Sequence, residues 1–364
     1  MKSRILLLLI NLASLKADQT PFSKNTADPG HLCCNKLFES LPSKVHLPGS
    51  VEYERQQYDY YSLQQAELQP SCRVTPTTSS DVSLIMKTVT TNLCPFAVRS
   101  GGHSAWPGSN VQGGVTLDLS QLTIIDIDEK RGTVGLGPGS RWKAVYAAME
   151  QYNLTVVGGR SPNVGVGGFM LGGGISLLSF RRGFGCDNIV NYEIVLADGT
   201  ILDVNATSHS DLFWALKLGS TNYGIVTRST TREELQVIII GGGDEIVSVW
   251  HASLDSVPGA SLTDTPTIAD STRTTSLLNL VGDLQSSAFV ETGRRRTYTL
   301  TVKLDAPFLW DVFKHAKDIF DKLEYVSGMH WYLIYQPITK GFPIKSSETG
   351  GSPFKVFWKS PMTT

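Results

Sequence analysis

At 364 residues, with 32 Lys and Arg against 33 Asp and Glu, the chain has a formal charge of −1, and 41% of it is hydrophobic. So even a balance gives no electrostatic reason for a nucleic acid or an anionic membrane as partner. The length exceeds one ordinary hydrophobic core, so two domains, or one domain with a large insertion, are expected.

The N-terminus MKSRILLLLINLASLKADQT combines a short basic region, an apolar run from Ile5 to Ile10 and small residues at Ser14 and Ala17. It reads as a secretory signal peptide over residues 1–17, cleaved after Ala17. The run is too short to span a bilayer, and no later segment reaches about 18 apolar residues. The expected destination is the secretory route. There the five cysteines, Cys33, Cys34, Cys72, Cys94 and Cys186, meet an oxidising setting. An odd number leaves at least one thiol free. Adjacent Cys33 and Cys34 do not readily bond each other, so one of them is expected to reach Cys94 or Cys72. Sequons at Asn153 and Asn205 agree with export and glycosylation.

Residues 18–65 read as an irregular polar and aromatic lead-in. From Cys72, SCRVTPTTSSDVSLIMKTVTTN predicts a short strand and then a helix capped near Ser80 or Asp81, with Val82, Ile85, Met86 and Val89 on one face. The strand FAVR follows, then the loop RSGGHSAWPG. GVTLDLS alternates Val115, Leu117 and Leu119, and TIIDIDEKRGTVGLGPG predicts two strands joined at EKRG. SRWKAVYAAMEQY predicts a helix from Ser140, followed by a long glycine-rich loop. NYEIVLADGTIL is a hairpin turning at Asp198-Gly199. SDLFWALKLG is a helix capped by Ser210 and closed by Gly219, and GIVTRSTT is a strand. Beyond residue 239 come strands VIII, YTLTVKL and MHWYLIYQPI and the helix APFLWDVFKHAKDIFDKLEYV; the Arg294 to Arg296 cluster reads as the solvated start of a strand. Hairpins stand where a doubly wound parallel sheet would have helical crossovers, so the class is α+β.

Half of the 34 glycines fall between Arg99 and Gly174, one fifth of the chain. Runs such as Gly101-Gly102, Gly167-Gly168 and Gly172-Gly173-Gly174 exceed what single tight turns need. They suggest backbone lying against a ligand, with amides free to donate to phosphate oxygens. A dinucleotide fingerprint fails on spacing, because the third small residue would fall at Met170 and no βαβ unit surrounds it. The seven histidines form no HxH or HExxH pair and no CxxC occurs, so no metal site is expected. GGISL lacks the second glycine of a serine-hydrolase elbow.

Together FAVRSGGHS, VTLDLS, GGRSPNVGVGGFMLGGGISLLSFRRGFGCDN, EIVLADG and NYGIVT resemble the FAD-linked oxidases of the berberine-bridge-enzyme-like family, in the vanillyl-alcohol-oxidase and PCMH flavoprotein superfamily, in the style of its fungal members. The resemblance runs from about Cys72 to Thr230. It implies a PCMH-type FAD-binding domain of two α/β subdomains over 66–238 and a partial substrate domain, an antiparallel sheet with covering helices, over 239–364. It assigns FAD as cofactor, bonded through the 8α carbon to His103, with Arg99, Ser100, Gly101, Gly102 and Ser104 at the pyrophosphate and flavin. Pro162, Asn163, Val164, Gly165, Gly168, Gly172, Gly173 and Gly174 are assigned to walls around the isoalloxazine and diphosphate, and Tyr223, Gly224, Ile225 and Val226 to the adenosine part. Some members add a cysteinyl bond at the position of Ser161; a hydroxyl cannot form that thioether, so attachment is expected through histidine alone. Cys186 reads as a buried small hydrophobe.

The implied activity is hydride transfer from a small organic substrate, a secondary metabolite, to FAD with O2 as final acceptor. A carbohydrate oxidase of the same family and a non-catalytic, C-terminally truncated remnant stay open. KLGSTNYGIVT holds fewer glycines than the family's usual segment, and the tail FKVFWKSPMTT departs from the family where a returning C-terminal segment is expected. No catalytic base is nominated; Tyr332, Tyr335 and Gln336 are candidates for the substrate side.

Overall fold

Helix α1 (Pro29–Ser40) buries Cys33, Cys34 and Leu37. It opens a run that a computed structural model describes continuously over residues 29–235. The structure further describes residues 238–244, 247–253, 273–288, 293–295, 297, 302, 305–323, 325–326, 333–334 and 341–351. After α1 come β1 (Val45–His46), α2 (Val51–Tyr58), α3 (Leu63–Ala66), β2 (Cys72–Val74), α4 (Ser79–Thr91), β3 (Phe96–Arg99) and β4 (Val115–Asp118). Their strands form a sheet in the order β1-β2-β4-β3, parallel except at β1. All four residues of β4 are buried, as suits a strand covered on both faces.

A second sheet follows from β5 (Ile125–Asp128), β6 (Thr133–Leu136), α5 (Trp142–Glu150), β7 (Leu154–Thr155), α6 (Val166–Leu171), α7 (Ser179–Arg182), β8 (Ile189–Val195), β9 (Ile201–Asn205), α8 (Ser210–Leu216), β10 (Ile225–Arg232) and β11 (Glu234–Leu235). It is antiparallel, in the order β5-β6-β10-β8-β9, with β11 pairing β7 separately. The hairpins expected at EKRG and at Asp198-Gly199 are the β5-β6 and β8-β9 pairs, and Gly199 takes the positive φ of 82° that its turn requires.

Helix α4 joins the two sheets. Val82, Ile85, Met86 and Val89 pack with β2, β4 and α1 in one core, which also takes in Val195 and Ile225 from the second sheet. Ser83 and Thr90 donate side-chain hydrogen bonds to the carbonyls of Gly199 and Ala197. The neighbouring Ile194 and Val226 belong to the other core, with Trp142, Val145, Met149, Met170 and Leu216. Alternation along β8 and β10 thus feeds two cores from one pair of strands.

The remaining described elements are β12 (Ile238–Asp244), β13 (Val247–Ser253), β14 (Arg273–Thr275), α9 (Leu277–Ala288), α10 (Ala306–Asp321) and α11 (Gly341–Glu348). The three strands form an antiparallel sheet, β13-β12-β14. Leu277, Leu280 and Val281 of α9 complete the second core, so that core draws on residues far beyond its own sheet. Segment 341–351 also comes back, with Lys217 Nζ donating to the Thr349 carbonyl at 3.1 Å. The leader, the strands YTLTVKL and MHWYLIYQPI apart from Val302, Leu333 and Ile334, and Tyr332, Tyr335 and Gln336 lie outside the described residues.

Several local expectations differ from the structure for identifiable reasons. The lead-in is not irregular: it holds α1, α2 and α3. Thr78, not Ser80 or Asp81, caps α4, its hydroxyl accepting from Asp81 N while the Asp81 carboxylate accepts from Thr78 N. Helix α5 begins at Trp142 rather than Ser140, because Ser140 and Arg141 are held in extended pairing with 164–166. Ser210 is the first residue of α8 rather than its cap; His209 precedes it at φ 53° without a capping bond, and the helix ends at Leu216 where Lys217 turns inward. Both Cys33 and Cys34 are bridged, to Cys94 and Cys72, and Cys186 is the buried free thiol.

Burial raises the Asp81 carboxyl, but Lys44 and the Thr77 and Thr78 donors outweigh it and bring it down to about 2. A depressed carboxylate stabilises the fold fully above its unfolded value near 4 and loses that contribution as pH falls toward 2. Asp81→Asn is therefore expected to cost about 1 kcal/mol at pH 6. In urea melts the gap to wild type should close between about pH 4 and 2; a gap constant across that window would refute the assignment.

Candidate functional site

Three loops converge where the parallel strands end. Arg99 and Asp118 are register partners at the last positions of β3 and β4. Their side chains, 1% and 0% exposed, form a buried ion pair, and Arg99 also reaches the carboxylate and carbonyl of Asp59. Its terminal nitrogens are thus committed to protein partners, so Arg99 anchors the loop that it was expected to lend to a pyrophosphate. The Tyr60 ring lies under the same guanidinium, 4.9 Å away.

Loop 99–104 then presses against loop 161–167. A Cβ on Gly101 would sit 2.4 Å from Gly165 N, and one on Gly165 would sit 2.4 Å from Gly101 N. Glycine is required on both sides of this contact. Ser100 Oγ donates to the Pro138 carbonyl, which also accepts from Gly167 N. Residues 161–164 are pinned to the start of α5: the carbonyls of Pro162 and Val164 accept from Lys143 N and Trp142 N, and that of Asn163 accepts from the Arg141 guanidinium at 2.9 Å. Arg141 also pairs with Asp59 at 2.8 Å.

His103 sits between two backbone anchors. Tyr61 N donates to the Gly102 carbonyl at 3.0 Å, and Ser62 Oγ donates to the Ser104 carbonyl at 3.2 Å. The His103 ring stacks on Tyr61, with centroids 3.8 Å apart and planes inclined by 16°. Burial is the main cause that lowers the His103 imidazole to about 4, a bond to its own backbone opposes it, and the Arg141 and Arg295 charges add to the lowering. At neutral pH the ring is uncharged, as a nucleophile must be.

Loop 99–104 borders a polar cavity through Ser100. This cavity, of about 340 Å³, is lined by Asp59, Ser100, Ser120, Ser140 and Arg141 among others. The Ser120 and Ser140 hydroxyls are buried without a partner among the described residues, and Ser140 is only 2% exposed. Such groups call for a bound molecule or water. On α6, Gly168 has nothing within 4 Å of where a Cβ would be, and Gly172, one turn on, is likewise exposed.

Not every expected site residue faces this space. Gly173 and Gly174 take φ of 94° and 80°, and added Cβ atoms would strike Leu218 and Phe169, so packing already accounts for both. The side chains of Ile225 and Val226 are spent in the two cores. Tyr223 is exposed, and Gly224, at φ 141°, lets the backbone pass the Val195 carbonyl. Asp59, Tyr61, Ser62, Asp118 and Arg141 were not singled out in the sequence. The signal for three of them was the cluster DYYS, an acid and two aromatics in a segment with no other reason to be so rich in them. Arg295 is no solvated strand start: its guanidinium covers the Tyr61 ring at 3.7 Å.

Residues 70–205 match the FAD binding domain family. The FAD-dependent monooxygenase drtC of Aspergillus calidoustus is 44% identical over 216 residues, 58% of this chain and 41% of that protein. The solved structure of BBE-like 1 from Physcomitrella patens is 28% identical with a TM-score of 0.53, covering 59% of this chain and 48% of that one. The 6-hydroxy-D-nicotine oxidase of Arthrobacter nicotinovorans shares the fold, with 21% identity and a TM-score of 0.60 over 68% of this chain and 65% of its own. The chain thus spans about two fifths of the curated relative and about half of the moss protein.

Proposed function

Given that residues 70–205 are an FAD binding domain of the kind carried by the berberine-bridge-enzyme-like flavoproteins, we propose that this chain holds FAD through a covalent bond from His103 and serves oxidation of a small organic molecule. One observation carries this reading: an uncharged imidazole fixed in a glycine loop whose Ser100 lines a cavity, where the Ser120 and Ser140 hydroxyls have no partner among the described residues. The bond joins a His103 ring nitrogen to the methyl carbon at flavin position 8. Forming it would take one proton from that carbon and one from the imidazole, with O2 as the two-electron oxidant and hydrogen peroxide as its product. Ser161 stands where a second, cysteinyl bond would need a thiol, so histidine is the sole attachment.

When bound, FAD accepts hydride at N5 and passes the electrons on to O2. The chain's own part is to hold it: Gly101, packed without a Cβ against Gly165, fixes the loop that carries His103, Ser100 and Ser140 hydroxyls border the cofactor, and Gly168 and Gly172 leave room for it. Residues 66 to 238, with α1 and α9 completing their cores, form the FAD domain, and 239 to 364 otherwise belong to a substrate domain. The two disulfides support passage through the secretory route, with residues 1–17 removed and Asn153 and Asn205 glycosylated. Among the described residues, no helix is long and apolar enough to cross a membrane.

The test is direct. The mature chain is saturated with FAD and precipitated in acid, and the pellet is assayed for flavin absorbance. Wild type should retain flavin in proportion to protein, and His103→Ala should release all of it. Complete release from wild type removes the covalent bond, and failure to bind FAD at all removes the whole reading. A panel of alcohols, phenolics and sugars then identifies the substrate by peroxide release. Isotopically labelled O2 separates an oxidase from a monooxygenase, the activity in the name of the Aspergillus relative, since only the latter places label in the organic product.

A further inference from the structure

Segment 293–295 crosses about 230 positions of sequence to close over the residue that carries His103. Leu63 N donates to the Gly293 carbonyl at 3.1 Å, and Arg294 pairs with Glu67 at 2.6 Å. Arg295 N donates to Gln64 Oε1 at 3.0 Å, Gln64 Nε2 donates back to the Arg295 carbonyl, and Arg295 Nε donates to the Tyr61 carbonyl at 3.1 Å. The Arg295 guanidinium then lies on one Tyr61 face, 3.7 Å from its centroid, and the His103 ring stacks at 3.8 Å. A cation and an imidazole thus share one aromatic ring.

We propose that Tyr61 and Arg295 are positioning residues for the cofactor bond, a clasp that sets the orientation of the His103 ring and keeps a positive charge beside it. This rests on the covalent reading given above. The division of labour follows from the chemistry of the groups. Tyr61 supplies a flat face at van der Waals distance, which removes ring rotation that bond formation would otherwise have to freeze. Arg295 strengthens the stack from its side by cation–π attraction and opposes a second positive charge on His103. The other charged groups around His103 are Arg141, which acts in the same direction, and Arg99 and Asp59, whose charges are paired with each other and with Asp118 and Arg141.

The two members are separable by pH. Loss of the Arg295 charge should let the His103 midpoint rise from about 4. Arg295→Gln should then attach flavin more slowly than wild type at pH 8, through the weakened stack, and fall further behind wild type as the pH is lowered toward 5. Tyr61→Ala should slow attachment severalfold at both pH values, and Tyr61→Phe, which keeps the face, should restore it. The assays are acid-stable flavin against time after FAD addition and the titration of the His103 imidazole by NMR in the chain without FAD, with thermal melts to confirm folding. Arg295→Gln and Tyr61→Phe keep the test valid if Tyr61→Ala does not fold. An unchanged His103 titration in Arg295→Gln overturns the proposal. So does an unchanged attachment rate in Tyr61→Ala. If wild type attaches no flavin, the covalent reading has failed, and the titration still decides whether Arg295 governs the charge on His103.

Discussion

Asp118→Ala is expected to destabilise the chain by about 3–5 kcal/mol, because it strands the Arg99 guanidinium in a site that is 1% exposed. Asp59 remains at hand, but it is 44% exposed and already shared with Arg141, so it offsets little of that loss. A change of this size is a large fraction of ordinary stability and should lower the melting temperature by on the order of 10 °C. The informative control is the double variant Arg99→Met with Asp118→Leu. Replacing both charges by apolar groups of similar volume often costs little stability, yet it removes the anchor that ties loop 99–104 to α2. The double variant should melt near wild type and bind FAD weakly, while the single variant should melt early. A single variant within 1 kcal/mol of wild type would show that Arg99 finds full compensation elsewhere.

Opening the disulfides should have an effect of similar size. Cys33–Cys94 and Cys34–Cys72 close loops of 61 and 38 residues. Chain-entropy reasoning gives about 4 kcal/mol for each alone. Because the smaller loop is nested in the larger, the two are not additive. Cys34→Ser with Cys72→Ser, and Cys33→Ser with Cys94→Ser, should each lower the denaturant midpoint, and the four-serine chain should fall by less than the sum. Equal midpoints with and without reductant would exclude both bridges as stabilising elements. The two bonds leave from adjacent residues of one helix, so α1 is tied at a single turn to β2 and to Cys94, two residues before β3.

The second sheet and α4 were legible because their signals are local. Alternating Ile, Val and Leu, Asp-Gly at a turn, and four apolar residues at helical spacing each report their own geometry. Helix α2 was not legible for an equally physical reason. Its buried residues are Tyr53, Gln56 and Gln57, so the face turned inward is mostly polar and gives no apolar period. The α4 cap was misplaced because Thr78, Ser79, Ser80 and Asp81 are all capping types, and only the reciprocal bond between Thr78 and Asp81 selects one.

At the site, His103 was legible through its glycine neighbours, whereas the partners that fix it were not. Tyr61 and Arg295 are too far apart in the chain for any spacing to relate them. Gly173 and Gly174 also meet a local need, since their positive φ and the packing of Leu218 and Phe169 would exclude a Cβ there. The shortage of glycine in KLGSTNYG has a visible counterpart: Leu218 and Ser220 adopt φ of 75° and 60°, a region that disfavours a bulky residue.

The late position of α9 and of segment 293–295 has a consequence during synthesis. The glycine loop leaves the ribosome well before Leu277 and Val281 can seal the second core and before Arg295 can reach Tyr61. At roughly 5–20 residues per second the interval between His103 and Arg295 lasts roughly 10–40 s. For that time Tyr61 and His103 have been made and Arg295 has not, so the clasp proposed above can form only after the rest of the site has been synthesised.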